Sequence, residues 1–154
     1  MTGRHLQATP VAVDSAEWAT AAALLERAAL PTDDLADGTA RLWSVHDASS
    51  GAMVGCFGLE LADPEALLRS VVVRPERQRQ GLGTAVVELA EATARDLGVR
   101  RLVLLTEDAS AFFERLGYRE FDRAEACEPI RQTEQFRTLC PASAACLSKS
   151  ISVG

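Results

Sequence analysis

Between Ala66 and Leu97 the apolar residues change period, and that change limits the folds open to this chain more than any other feature. The stretch "ALLRSVVVRP" carries a β-branched run and reads as a strand; Pro75, which cannot donate to a ladder, marks its end. From Gly81 the period becomes helical. Leu82, Val86, Leu89, Thr93 and Leu97 fall on one stripe, and Gly98 stands where a C-terminal cap belongs. The next run, "RRLVLLT", is again a buried strand, and a strand that returns through a helix lies parallel to the one before it.

The earlier part of the chain reads differently. "VAVDSAEW" predicts a short strand entering a helix, with Asp14 as N-cap and Glu17 as its capping-box partner; Pro31 stops that helix. "RLWSVHD" and "MVGCFGLEL" are strands separated by "ASSG", a hairpin turn, so they pair antiparallel. Further on, Asp108 is the expected cap of a short helix "ASAFFERL" closed by Gly117, and "YREFDRA" and "SAACLSKSI" supply two last strands around a polar connection. Hairpins early and crossovers late predict a mixed α/β fold: a mostly antiparallel, twisted sheet with helices on both faces, built as a single domain over residues 1–154.

Composition narrows the partners. The formal net charge of −6 disfavours general binding to nucleic acid or to anionic membranes, which demand excess positive charge. No apolar run approaches the roughly 18 residues of a membrane span. The N-terminal stretch lacks the apolar centre of a secretory signal, so a cytoplasmic protein is expected. Cys56, Cys127, Cys140 and Cys146 form no C-x-x-C pair, and His5 and His46 are isolated; no metal site is expected.

What remains is the local concentration of arginines and glycines at residues 74–83. A helix start exposes amides without internal partners, and the peptide dipoles add partial positive charge. Gly81 and Gly83 let an anion approach that backbone, and Arg77 and Arg79 add charge around it. A phosphate or pyrophosphate is the expected ligand. The spacing is not that of a P-loop, which needs a lysine and a hydroxyl here, nor that of a dinucleotide fingerprint, because Val86 occupies the third small-residue position.

The hexad Gln78, Arg79, Gln80, Gly81, Leu82, Gly83 reads Q-x-x-G-x-G and resembles the acetyl-CoA signature of the GNAT N-acetyltransferases. "ASAFFERLGY" is similar to a second motif of that family. The resemblance implies acetyl-CoA as cosubstrate: Val71, Val72 and Val73 along the pantetheine arm, residues Gln78 to Gly83 with Thr84 around the pyrophosphate, and Thr106 and Phe113 beside the cofactor. It implies a small-molecule amine as acceptor, and leaves a homodimer open. Where many relatives have a tyrosine to protonate the departing thiolate, this chain has Phe113; Tyr118 is a weaker alternative acid. The motifs leave room for a second class, an acyl-CoA-binding sensor without catalysis.

An ammonium cannot attack a thioester, so an acetyltransferase needs a base. Glu60, at the end of a strand adjoining "LLRSVVV", is the candidate, and Arg69 is placed to pair with an acceptor carboxylate, with Arg131 and Arg137 as alternatives. "LPTDDLADG" and "TEQFRTLCPASAACLSKS" resemble the acetyltransferases encoded with arsenic-resistance genes. That resemblance implies an amino acid or an organoarsenical amino-acid analogue as acceptor. Soft thiolates bind soft metals, which makes Cys127, Cys140 and Cys146 the candidate ligands for trivalent arsenic.

Overall fold

The structure is a computed structural model that describes residues 5–30, 32, 40–77, 81–133, 136–137 and 144–151. Seven strands, β1 (Leu6–Val11), β2 (Ala40–Asp47), β3 (Met53–Ala62), β4 (Glu65–Val73), β5 (Arg101–Thr106), β6 (Arg119–Glu120) and β7 (Ala145–Ser150), join in the order β1-β2-β3-β4-β5-β7-β6. Among the described residues the α-helices are α1 (Ala16–Arg27), α2 (Leu82–Asp96), α3 (Ser110–Arg115) and α4 (Glu128–Arg131). β1 runs antiparallel to β2, β7 antiparallel to both β5 and β6, and β4 parallel to β5, as a crossover through α2 requires. None of the described helices is long and apolar enough to cross a membrane.

The chain divides into two compact units. The first holds Met1–Gly58 and Ser70–Ala90. Its core gathers Leu24 and Leu25 of α1 with Leu42, Met53, Cys56 and Val72, and Trp43 stacks on Phe57 at 5.4 Å. α1 starts one residue later than the sequence predicts. Ser15, not Asp14, is the N-cap: its Oγ accepts from the Trp18 amide at 3.1 Å, and Asp14 turns the chain at φ 71°. Glu17 is therefore no capping-box partner and bonds instead to His46 Nε2 at 2.9 Å, while His46 Nδ1 lies 3.2 Å from the Gly51 carbonyl oxygen. The hairpin between β2 and β3 is the expected one, with Gly51 at φ 76° and its amide on the Asp47 carbonyl.

The second unit holds Leu59–Arg69 and Glu91–Gly154. Leu67, Val103, Ala126, Ile130 and Cys146 form its core, with Phe121, Cys127 and Phe136 against them. Asp108 does not cap α3. The N-cap residue is Ala109, with no side-chain cap bond; its amide donates to Thr106 Oγ1 at 3.0 Å. The strand expected over "YREFDRA" shortens to Arg119–Glu120 because Asp122 folds the chain into a turn, its carboxylate accepting from the Ala124 amide. On α2 the buried stripe runs through Leu82, Val86, Val87, Ala90, Glu91 and Ala94, whereas Leu97 is 44% exposed. The small alanines face the interior and the expected stripe is rotated.

Candidate functional site

The first unit holds the candidate anion turn. β4 ends with Val72 and Val73 buried, and its course is irregular: Ser70, six per cent exposed, sits at φ 60°, a left-handed conformation that a non-glycine residue in a strand adopts only under constraint. Opposite, any side chain at Gly55 would run into the Val72 carbonyl oxygen, so β3 carries a glycine where β4 presses closest. The chain leaving β4 is tied back by Arg74, whose amide donates to the Val54 carbonyl at 2.8 Å and whose Nε donates to that of Met53 at 2.7 Å. A 3₁₀ turn over Pro75–Arg77 follows.

α2 then begins after Gly81, which has φ 75° and open space where a Cβ would stand. Only glycine takes that backbone without strain. The first turn of α2 contains no acidic residue, Leu82 is buried beneath it, and Gly83 and Thr84 are half-buried. Arg77 does not stand clear of other charge: its Nη2 is 3.7 Å from Asp47 Oδ2. The Asp47 carboxyl titrates below its ordinary value, first because the Ser49 hydroxyl and amide bond to it and least because of Arg77. Gln78, Arg79 and Gln80 lie outside the described residues.

The second unit holds the candidate base. Glu60 on β3 and Arg69 on β4 form an ion pair, Arg69 Nη1 to Glu60 Oε2 at 2.9 Å, with side chains 6% and 0% exposed. The guanidinium expected to meet a substrate carboxylate has met one of the protein's own. Thr106 uses its hydroxyl oxygen on the amide of Ala109, the α3 N-cap residue. Phe113, buried, packs edge-on against Phe112 and Tyr118 with centroids at 5.0 and 5.5 Å.

Tyr118 is unsuited to be the alternative acid. It is 1% exposed and donates to Glu91 Oε2 at 2.9 Å; burial first, then the Glu91 charge, pushes its hydroxyl far up, so it holds its proton. Glu91 also accepts from Lys149 Nζ at 3.0 Å, and Lys149 donates to the Leu116 carbonyl at 2.8 Å. The sequence reading missed this network. A glutamate one turn after Val87 on a buried stripe was the available signal, since a buried carboxylate demands a cation.

Arg131 donates its Nε to the Ala126 carbonyl at 3.0 Å, and Arg137 is exposed. Burial raises the Cys56 thiol to about 12 and the Cys146 thiol to about 11 and also raises that of Cys127, so all three are protonated thiols at neutral pH. Cys140 lies outside the described residues, among which no group of three or more His, Cys, Asp or Glu is arranged to hold a metal.

Comparison with known proteins shows what the whole chain is similar to. An uncharacterised N-acetyltransferase of Chlorobaculum tepidum is 33% identical over 97 residues, 62% of this chain and 60% of the relative, so the match takes in less than two thirds of that protein. Among solved structures, N-acetylglutamate synthase of Neisseria gonorrhoeae, complexed with coenzyme A and N-acetyl-glutamate, superposes with a TM-score of 0.78 at 16% identity over 99% of this chain and 36% of the synthase. A GNAT family acetyltransferase of Elizabethkingia anophelis with acetyl-CoA bound gives 0.66 at 16% identity, covering 94% of this chain and 97% of that one. At such identities these two establish the fold alone. The sequence model of the acetyltransferase (GNAT) family matches residues 11–118, from the end of β1 through the glycine turn before α2 to Tyr118. That match takes in more than half of the chain, and the chain belongs to the acetyltransferase (GNAT) family.

Proposed function

We propose that this protein transfers the acetyl group of acetyl-CoA to the primary amine of a small molecule by direct attack. The observation that carries the reading is the start of α2: a glycine at φ 75° with open space above it and no acidic side chain in the first turn. Amides and dipole there favour a diphosphate, and no acidic side chain of the first helical turn competes with it. Val71, Val72 and Val73 lead to this turn and are assigned to the pantetheine arm; Gln78, Arg79, Gln80, Gly81, Leu82, Gly83 and Thr84 are assigned to the pyrophosphate. Thr106 and Phe113 keep the cofactor assignment that the family resemblance gives them, Thr106 with its oxygen already engaged.

The chemistry is a group transfer in which positioning does most of the work. The neutral amine attacks the thioester carbonyl, the carbon–nitrogen bond forms, the carbon–sulfur bond breaks, and the nitrogen loses a proton. Glu60 takes that proton, directly or through a water. Since Phe113 cannot donate and Tyr118 is committed to Glu91, the departing thiolate is protonated from solvent water. The acceptor class is a small amine. The resemblance of the C-terminal stretch favours an amino acid or an organoarsenical amino-acid analogue, in a cytoplasmic setting.

The test is thiol release from acetyl-CoA across a panel of amino acids, their amines without a carboxylate, and organoarsenical analogues. Saturable release with one class supports the reading. Tight acetyl-CoA binding with no turnover on any amine overturns it in favour of a sensor, the alternative that Phe113 motivates.

A further inference from the structure

We infer that Arg69 is a positioning residue for Glu60, and that it does not bind the acceptor's own carboxylate; this rests on the proposed role of Glu60 as base. An arginine that waits for a substrate carboxylate must present an edge of its planar fork where the substrate can arrive. The Arg69 side chain has no exposed surface, and its Nη1 is engaged with Glu60 Oε2 at 2.9 Å. Burying both charges costs desolvation on each side, so such a pair is weak evidence for a stabilising role. What it does deliver is orientation: a flexible glutamate reduced to one placement of its carboxylate, as transfer of a proton from a bound amine requires.

The backbone carries a second, independent sign. Ser70, the residue after Arg69, is a buried non-glycine held at φ 60° inside a strand. Strain of this kind is retained where the surroundings over-determine it, characteristically near reacting groups. β4 is thus irregular directly beside the residue that holds the carboxylate.

Steady-state kinetics of Arg69→Gln, Arg69→Lys, Glu60→Gln and the Glu60→Gln/Arg69→Gln double variant test this, each with an amino acid and with the matching amine lacking the carboxylate. Coenzyme A calorimetry and melting curves check that each variant is folded. The expected result is that Arg69→Gln lowers kcat by about a hundredfold for both acceptors alike, with acceptor KM unchanged. Arg69→Lys should recover part of the loss, and the double variant should be no slower than Glu60→Gln alone. If Arg69→Gln fails to fold because Glu60 loses its bond to Arg69, Arg69→Lys carries the test, with a lowered kcat at unchanged KM expected. A KM that rises only for the carboxylate-bearing acceptor would make Arg69 a substrate ligand and overturn the inference. So would wild-type kcat in the Arg69 variants beside a slow Glu60→Gln, and in that case the Glu60 reading survives. Wild-type turnover of Glu60→Gln at all pH values would overturn both.

Discussion

The starts of α1 and α2, both in the first unit, solve the same electrostatic problem in opposite ways. At α1 the exposed amides meet the protein's own oxygen: Ser15 accepts from Trp18, and Glu17 supplies negative charge in the first turn. That start is filled. At α2 the first turn has no acid, and its leading residue is a glycine with open space beside it. The second unit repeats the filled arrangement at α4, where Glu65 Oε1 accepts from the amide of the N-cap residue Cys127 at 3.2 Å. α3 also lacks a first-turn acid, so that alone singles out no site; at α2 it coincides with a glycine at φ 75° and open space beside it, which leaves room for an anion.

The comparison breaks most directly if α2 is closed artificially. Gly83→Glu places a carboxylate in its first turn and should weaken coenzyme A binding by about a hundredfold, about 3 kcal/mol, with the melting temperature little changed. Isothermal calorimetry decides it, and unchanged affinity would remove the turn from the binding site.

Next in size is the Glu65 plug. Burial is the largest influence on its carboxyl and pushes upward, but Arg101, whose Nε donates to Oε2 at 2.7 Å, and the Cys127 amide together outweigh it and hold the carboxyl below its ordinary 4.5. A depressed carboxyl contributes stability that is complete above its unfolded value and is lost as pH falls through the folded one. Glu65→Gln should therefore cost about 1–2 kcal/mol at pH 7, modest because Arg101 is partly exposed, and the gap to the parent should close below pH 4.5. Melting curves between neutral and acid pH would show it; a gap that is the same at every pH would refute the assignment.

Ser15→Ala opens the α1 start and should cost about 1 kcal/mol of stability, read by urea unfolding, without altering coenzyme A affinity. A fall in that affinity would mean that the two helix starts do not act separately. The smallest effect expected is that of salt: coenzyme A affinity should weaken severalfold as ionic strength rises from about 0.01 to about 0.15 M, while the stability lost in Ser15→Ala should hardly move.

How much of this was legible differs by element. The strand–turn–helix of β4 and α2 could be read because each of its signals is local: β-branched residues, a proline, a glycine turn, then a helical stripe. Even there the stripe was misplaced, since Leu89 and Leu97 look more apolar than Ala90 and Ala94, and only packing shows that small residues face the interior. The α1 cap was off by one residue because Asp14 and Ser15 are both good caps, and backbone geometry chose between them. Gly55 carried no signal at all. Its necessity lies in the Val72 carbonyl on another strand.

The sequence by itself determined the family, the order of elements and the glycine turn before α2, because period, proline and glycine act on the backbone within a few residues of where they stand. Tertiary structure alone decided which polar groups would meet: Arg69 with Glu60, and the neutral Tyr118 and the cation Lys149 with Glu91. A charge withdrawn from water must find its counterpart wherever the topology delivers one, and those counterparts come from other elements, at separations that no local pattern records.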